Sequence, residues 1–315
     1  MREIRAAVIG AGYLGRFHAQ KYATEAGCSL VAVVDPRSEA CAALAQELST
    51  NALADHRDLL GKVDAVSIVT TTPAHFAIAC DFLQAGIHVL VEKPITETVA
   101  QAQELITRAA RARCVLQVGH LERFNPAIMA AEQHLIGARF IECQRLAPFK
   151  ERGTDVNVVL DLMIHDIDIV QSIVGQEIQS IDAVGTPVFS DAVDIANARI
   201  RFVGGCVANV TASRVSLKTE RRLRVFRDDA YISIDLQQRI LSITRKRSTV
   251  PIVGELPVTI EEQSFEQSDA LRSEVKDFLK CIRTNTQPLV TGEAGLRALE
   301  TAIRITSMLS VSGKI

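Results

Sequence analysis

Over its first 120 residues the chain alternates between two patterns. Short, near-continuous apolar runs rich in β-branched residues lie at 4–9, 30–34, 65–69, 88–91 and 115–118. Longer stretches rich in Ala, Leu, Glu and Arg separate them. Strands buried on both faces read this way, and helical crossovers of this length predict a doubly wound parallel sheet. Such a sheet holds its ligands beyond the carboxyl ends of its strands. Past about residue 125 the rhythm changes: a helical stretch at 158–174 is followed by runs that alternate apolar and polar at 195–202, 206–215, 222–227, 231–235 and 240–245. Turn residues such as Gly204-Gly205 and Asp228-Asp229 join them, predicting a mostly antiparallel sheet. Helical patterns at 265–282 and 292–309 close the chain. The expected class is α/β, with a dinucleotide-binding domain over 1–120. A second α/β domain on an open, mostly antiparallel sheet follows over 121–315, its late helices free to pack back on the first.

Composition narrows the function. With 315 residues, 48% hydrophobic and 23% charged, the chain has enough interior for about two domains and is not disordered. A net charge of -2, 4% aromatics and no Trp argue against nucleic acid as a partner. No apolar run reaches the ~18 residues of a membrane span, and glycines interrupt the N-terminal MREIRAAVIGAG, which reads as a strand rather than a signal peptide. Seven cysteines without a C-x-x-C pair read as core thiols in a reducing compartment. The expectation is a soluble cytoplasmic protein with a small-molecule partner, no nucleic acid and no membrane.

Gly10-Ala11-Gly12-Tyr13-Leu14-Gly15 follows the first strand and opens the first helix. Gly10 suits a tight turn, Gly12 a close backbone approach by a pyrophosphate, and Gly15 close helix–strand packing. The helix N-terminus adds unpaired N–H groups and partial positive charge. Asp35 ends the second strand about 20 residues on, where an acid binds the ribose 2′-OH. That carboxylate favours NAD over NADP, although Arg37 is the kind of residue a 2′-phosphate would want.

Glu92-Lys93-Pro94 follows the fourth run, so Lys93 emerges at the carboxyl edge of the sheet. It is either an ammonium that polarises a substrate oxygen or a surface lysine before a turn proline. Asp161, His165, Asp168 and Ser172 fall at i, i+4, i+7 and i+11 of the helical stretch. This stripe is either an exposed face or a proton acceptor with an acidic neighbour to orient it. The spacing also permits a metal, but none is expected. Arg123 and Asn125 follow the fifth run, placed to grip sugar or phosphate unless Asn125-Pro126 merely starts a helix. Between 199 and 227 there are eight basic residues and one acid. They form a solvated or oligomer-facing sheet, or a diphosphate site with Arg214 and Lys218 nearest the loop.

These pieces resemble the Gfo/Idh/MocA oxidoreductases over essentially the whole length. The resemblance is carried by GAGYLG at 10–15, HVLVEKPIT at 88–96, GHLERFNP at 119–126 and DLMIHDID at 161–168. It implies an N-terminal Rossmann domain and a C-terminal α/β domain used for homodimer or homotetramer contacts. It also implies an NAD(P)-dependent oxidoreductase acting on CH–OH groups, with Lys93, Asp161 and His165 as catalytic positions. The implied cofactor contacts are Gly10, Gly12, Tyr13, Leu14, Gly15, Asp35, Arg37, Thr70, Thr71, His75, Glu92 and Lys93. The implied substrate contacts are Arg123, Asn125, Asp161, His165, Arg214 and Lys218. One departure stands out: Thr70-Thr71 occupies the place of the family's Ser/Thr-Pro, with proline displaced to Pro73, so this loop is expected to take a different path. The stretches GHLERFNPAI, RGTDVNVVLDLMIHDIDIV and TASRVSLKTERRLRV look most like the branch that oxidises the C3 hydroxyl of UDP-N-acetylglucosamine. That branch works ahead of an aminotransferase towards an amide-linked lipid A precursor. The rival expectations are a dehydrogenase of a free polyol or sugar such as an inositol, and a non-catalytic NAD-binding regulator.

Overall fold

The structure is a computed structural model that describes residues 3–149, 157–247 and 257–309. The described residues divide into two compact units. Those up to Leu121 together with Asp269–Leu299 form the first, and Glu122–Ser268 together with those from Glu300 onward form the second. Of the alternatives held open for the late helices, the chain thus takes the return of 269–299 to the first unit.

The first unit follows β1 (Ile4–Ile9), α1 (Tyr13–Thr24), β2 (Cys28–Val34), α2 (Ser38–Glu47), β3 (Asn51–Leu53), β4 (Ala65–Ile68), α3 (Thr72–Gln84), β5 (His88–Glu92), α4 (Val99–Ala112) and β6 (Leu116–Gly119). All six strands are parallel, in the order β3-β2-β1-β4-β5-β6. This is a Rossmann sheet whose order reverses between β1 and β4, the place where such sheets hold a ligand. The apolar runs fill its centre: Ala6, Ala7, Val8, Val66, Ile68, Val89 and Val91 have no exposed surface. The strand missing from the sequence reading is β3, three residues on the sheet edge and too short to show a period.

The second unit runs α5 (Pro126–Leu135), β7 (Phe140–Leu146), α6 (Ile164–Val174), β8 (Ile178–Thr186), β9 (Ile195–Phe202), β10 (Val207–Ser213), β11 (Glu220–Phe226), β12 (Ala230–Asp235), β13 (Ile240–Lys246) and β14 (Val258–Ser264). The last two helices of the chain are α7 (Ala270–Thr284) and α8 (Gly292–Leu309). The eight strands lie in the order β14-β13-β12-β11-β7-β10-β9-β8, with β7 and β10 parallel and the other pairs antiparallel. The turns at 204–205 and 228–229 join β9 to β10 and β11 to β12 as expected. Alternate residues point inward, beneath α5 and α6. The period failed to reveal β7, because its inward row Ile141, Cys143, Arg145 ends on a charge. It also failed for β14, an edge strand with acidic residues on both faces.

In the first unit, α7 packs against α1. Val275, Phe278 and Leu279 join Ala19, Tyr22 and Val33 in one buried cluster. Lys21 pairs with Asp269 at 2.6 Å and Arg272 with Glu25 at 3.1 Å. A helix that starts beyond residue 268 is therefore an integral layer of the nucleotide-binding unit.

Candidate functional site

The glycine loop has the geometry its spacing predicts. Gly10 sits at φ +109°, and a Cβ there would meet the carbonyl of Val69. A Cβ on Gly15 would meet the carbonyl of Gly10, so only glycine lets α1 start this close to β1. Gly12 is different. Its φ of -75° is ordinary, and nothing but the tip of Arg37 comes within 4.0 Å of an added Cβ. Gly12 also caps α1 without a side-chain acceptor, leaving the first-turn amides for an anion. A cradle open at Gly12 and shut at Gly10 and Gly15 fits a dinucleotide pyrophosphate. Tyr13 and Leu14 stand at its rim, both exposed.

Asp35, at the end of β2, is buried and hydrogen-bonded through both carboxylate oxygens. Its Oδ2 accepts from the amide of Ala11 and from Arg37 Nη2, each at 2.8 Å. Oδ1 accepts from the amide and Nε of Arg37, each at 2.9 Å. The Arg37 guanidinium is the main reason its pKa falls to about 2, against the opposing effect of burial. Asp35 and Arg37, read separately from the sequence, thus form one unit that also steadies the glycine loop.

Thr71 caps α3 and Pro73 sits in its first turn, so the displaced proline opens a helix. His75 departs from the expectation of a cofactor contact. It is buried, with Nδ1 3.0 Å from the carbonyl of Pro94 and Nε2 3.2 Å from that of Thr70. Burial pushes its pKa down. Both ring nitrogens face backbone, so His75 is a strut that ties the Thr70 loop to the Lys93-Pro94 loop.

Lys93 is half-buried at the carboxyl end of β5, before a cis peptide to Pro94. Glu92, expected to touch the cofactor, instead turns its carboxylate inward. Oε1 lies 3.2 Å from His18 Nε2, and Oε2 accepts the Lys93 amide at 3.2 Å. Gly119 is the reason it fits, since a Cβ there would come within 2.9 Å of that carboxyl. His18 leads on through Ser67 Oγ at 3.2 Å to the Tyr22 hydroxyl. Glu274 of α7 completes the cluster, one carboxyl oxygen lying within 4.8 Å of an oxygen of Glu92 and a ring nitrogen of His18. Burial raises the Glu274 pKa well above the carboxylate range, aided by repulsion from Glu92. Burial opposes ionisation of Glu92 too, but His18 and Lys93 outweigh it and leave its pKa lowered. These three are the one trio with metal-ligand spacing among the described residues. His18 and Glu274 had no distinguishing signal in the sequence, being single polar residues on otherwise buried helix faces.

The second unit carries the other candidates. The stretch 158–174 is not one regular helix: Val159–Met163 forms a π-turn, with Asn157 Oδ1 capping Val159 and Leu160, and α6 follows. Residues 152–156 of the stretch that begins at Arg152 lie outside the described residues. Asp161, in the π-turn, and His165, in the first turn of α6, are both half-buried. The expected stripe does not continue from them, because Asp168 is buried and Ser172 is exposed, donating to the Ile169 carbonyl. Asp168 Oδ2 instead lies 3.5 Å from Arg123 Nη1.

Two expected substrate contacts take structural roles. Asn125 accepts from Ala127 as the cap of α5 and donates from Nδ2 to the Leu236 carbonyl at 2.9 Å, so both ends of its amide are used. Arg214, expected at a diphosphate, is 5% exposed and donates from Nε to Asp194 at 2.7 Å. Asp194 gathers the amides of Val188, Phe189 and Ser190 as well, making a buried knot. Lys218 is exposed on the loop before β11. Arg222 and Arg224 lie on the sheet face away from α5 and α6, where with Glu142, Gln144, Asn197, Asn209 and Thr211 they line a polar groove of about 300 Å³. One further cluster was invisible in the sequence. Arg145, on β7, is buried between Asp166 and Glu122.

A Rossmann sheet with a dinucleotide cradle, a lysine at its carboxyl edge and a second unit on an open sheet defines the class of nicotinamide-dependent oxidoreductases. The description "Oxidoreductase family, NAD-binding Rossmann fold" matches residues 4–120, and the GFO/IDH/MocA C-terminal domain matches 139–233. The chain belongs to the Gfo/Idh/MocA family. It is 43% identical to a UDP-N-acetylglucosamine 3-dehydrogenase of Acidithiobacillus ferrooxidans over 307 residues, 97% of each chain. A solved structure of UDP-N-acetylglucosamine 3-dehydrogenase from that organism superposes with a TM-score of 0.93 at 40% identity, covering 98% of both chains. The scyllo-inositol 2-dehydrogenase (NAD(+)) of Bacillus subtilis is 27% identical, over 97% of this chain and 94% of its own.

Proposed function

We propose that this protein oxidises the C3 hydroxyl of UDP-N-acetylglucosamine to the 3-keto sugar, using NAD. The observation that carries the reading is 43% identity, over 97% of both chains, to a protein of that activity. The motifs that carry Lys93, Asp161 and His165, at 92–94 and 161–165, support the same reading.

NAD, held at the glycine loop of 10–15, would supply the hydride acceptor. His165 takes the hydroxyl proton as the hydride leaves carbon, because an imidazole is the side chain whose ordinary pKa suits proton uptake near neutrality. Lys93 polarises the same oxygen with its ammonium, and its backbone is fixed on one side by the Glu92 carboxylate. Asp161 binds substrate and orients His165. Arg123 contacts sugar or phosphate, and Lys218, exposed and mobile in its four-carbon stem, reaches the diphosphate. Asp35 accepts from the ribose hydroxyls and repels a 2′-phosphate, so NAD is the cofactor. The enzyme works in the cytoplasm as a homodimer or homotetramer. Its 3-keto product is a substrate for an aminotransferase on the way to an amide-linked lipid A precursor.

The test is substitution with two readouts. His165→Ala and Lys93→Ala should each lower kcat by on the order of 100-fold or more while NAD binding stays within about 3-fold of wild type. Both variants turning over near the wild-type rate would contradict the assignment. The 27% identity to a scyllo-inositol dehydrogenase supports a second reading, a free polyol as substrate, which saturation by an inositol without any UDP group would favour.

A further inference from the structure

Arg145 lies where the inward row of β7 calls for an apolar residue. It follows Ile141 and Cys143 on the same face and is 3% exposed. Its guanidinium is forked onto Asp166, Nε to Oδ2 at 3.0 Å and Nη2 to Oδ1 at 2.7 Å. The remaining Nη1 donates to Glu122 Oε1 at 2.9 Å, and Arg221 Nη1 meets the same oxygen at 2.9 Å. Asp166 is the residue after His165, and Glu122 is the residue before Arg123. Arg123 in turn reaches Asp168, two residues beyond Asp166. Three ion pairs, Arg145–Asp166, Arg145–Glu122 and Arg123–Asp168, thus close a ring that joins α6, the turn at 121–124 and β7. Its charges balance: Arg123, Arg145 and Arg221 face Glu122, Asp166 and Asp168.

Stability alone does not account for this ring. Desolvating three groups costs about as much as their attraction returns, and an apolar trio of similar volume would hold the core as well. Geometry supplies a reason. The π-turn at Val159–Met163 breaks the regular i→i−4 ladder just before α6, so the helix interior alone does not fix the direction in which its first turn faces. The planar fork of Arg145 fixes it from the sheet, with two parallel bonds to the residue adjoining His165. The third bond does the same for the residue adjoining Arg123.

We propose that Arg145 is a positioning residue for the reaction, setting the orientation of His165 and Arg123 through Asp166 and Glu122. The inference rests on the role given to His165 above. Lysine at this position keeps the charge but loses the fork.

The experiment compares wild type, Arg145→Lys, Asp166→Asn and His165→Ala in NADH formation from NAD and UDP-N-acetylglucosamine. Each is also measured for NAD affinity and melting temperature. Arg145→Lys and Asp166→Asn should each lower kcat on the order of 10–100-fold, the cost of a misplaced reacting group. NAD affinity should stay within about 2-fold, since the cradle lies in the other unit. Asp166→Asn keeps the shape of the site and carries the test if Arg145→Lys does not fold. A lowered melting temperature with kcat within about 3-fold of wild type in both variants would overturn the proposal and leave a structural ion pair. Wild-type turnover by His165→Ala would instead overturn the reading on which it rests.

Discussion

Asp35 concentrates several roles in one carboxylate, because its four hydrogen bonds join the glycine loop, its own strand end and Arg37. Asp35→Ala should lower kcat/KM for NAD by about 10–100-fold, the worth of a charge-assisted hydrogen bond. It should also raise the ratio of NADP to NAD turnover, because Arg37 is released and the repulsion of a 2′-phosphate disappears. Parallel kinetics with both cofactors check this. An unchanged ratio would mean that Arg37, not Asp35, sets the preference. Glu274 makes a second residue-scale prediction, on stability. Its pKa is raised on folding, so the folded state keeps a proton that the unfolded chain releases. The stability linked to that proton is complete below about pH 4 and is lost as pH rises through the folded-state value. Glu274→Gln carries no such proton. Its melting temperature relative to wild type should therefore climb as pH rises above about 5, by roughly 2–4 °C for each kcal/mol relieved. Thermal melts at several pH values measure it, and a flat difference would contradict the neutral-acid assignment.

At the scale of elements, what was legible depended on how many residues carried the signal. The glycine loop was readable because its residues fall at fixed offsets between a strand and a helix, and Gly10 and Gly15 each sit where a Cβ would meet backbone. The 158–174 helix was readable as an element but not in detail. A π-turn leaves no mark on apolar spacing, nor does the burial of Asp168 beside Arg123 on the same helix that carries His165 and Ser172. His75, Asn125 and Arg214 were chosen for chemistry, and each is held by local backbone or by one buried partner that spacing does not reveal. Arg145, His18 and Glu274 were missed for the complementary reason: their partners are brought by the fold from other elements. The cap role of Asn125 is itself testable. Asn125→Ala removes the α5 cap and the bond to Leu236, and should cost about 1 kcal/mol, or about 2–4 °C in melting temperature. With kcat/KM unchanged within about 3-fold, the cap alone would explain it. A 10-fold or larger loss would return Asn125 to the substrate site.

For the whole molecule, the two sheets were legible as classes because their periods differ, near-continuous in one and alternating in the other. Chain order left one feature open. Residues 269–299 complete the nucleotide-binding unit, and tertiary packing of Val275, Phe278 and Leu279 shows it. The polar outer face of the eight-stranded sheet bears the proposal of a homo-oligomer. Its arginines are answered within the face, Arg224 meeting Glu142 at 3.4 Å and Arg222 meeting Glu220 at 3.6 Å. Arg224→Glu sets like charges side by side across β11 and β7, and should lower the molar mass measured by light scattering if copies meet there. An unchanged mass would move the interface elsewhere.

The central claim is that the chain oxidises a nucleotide sugar with NAD. Its most direct test is NADH formation at 340 nm with UDP-N-acetylglucosamine, free N-acetylglucosamine and scyllo-inositol compared side by side. Glutamate and an aminotransferase specific for the ketone should be present, because oxidation of a secondary alcohol by NAD is unfavourable near neutral pH. The account predicts reduction that depends on the UDP group and disappears in His165→Ala. Equal or better reduction with a free sugar or inositol would contradict it.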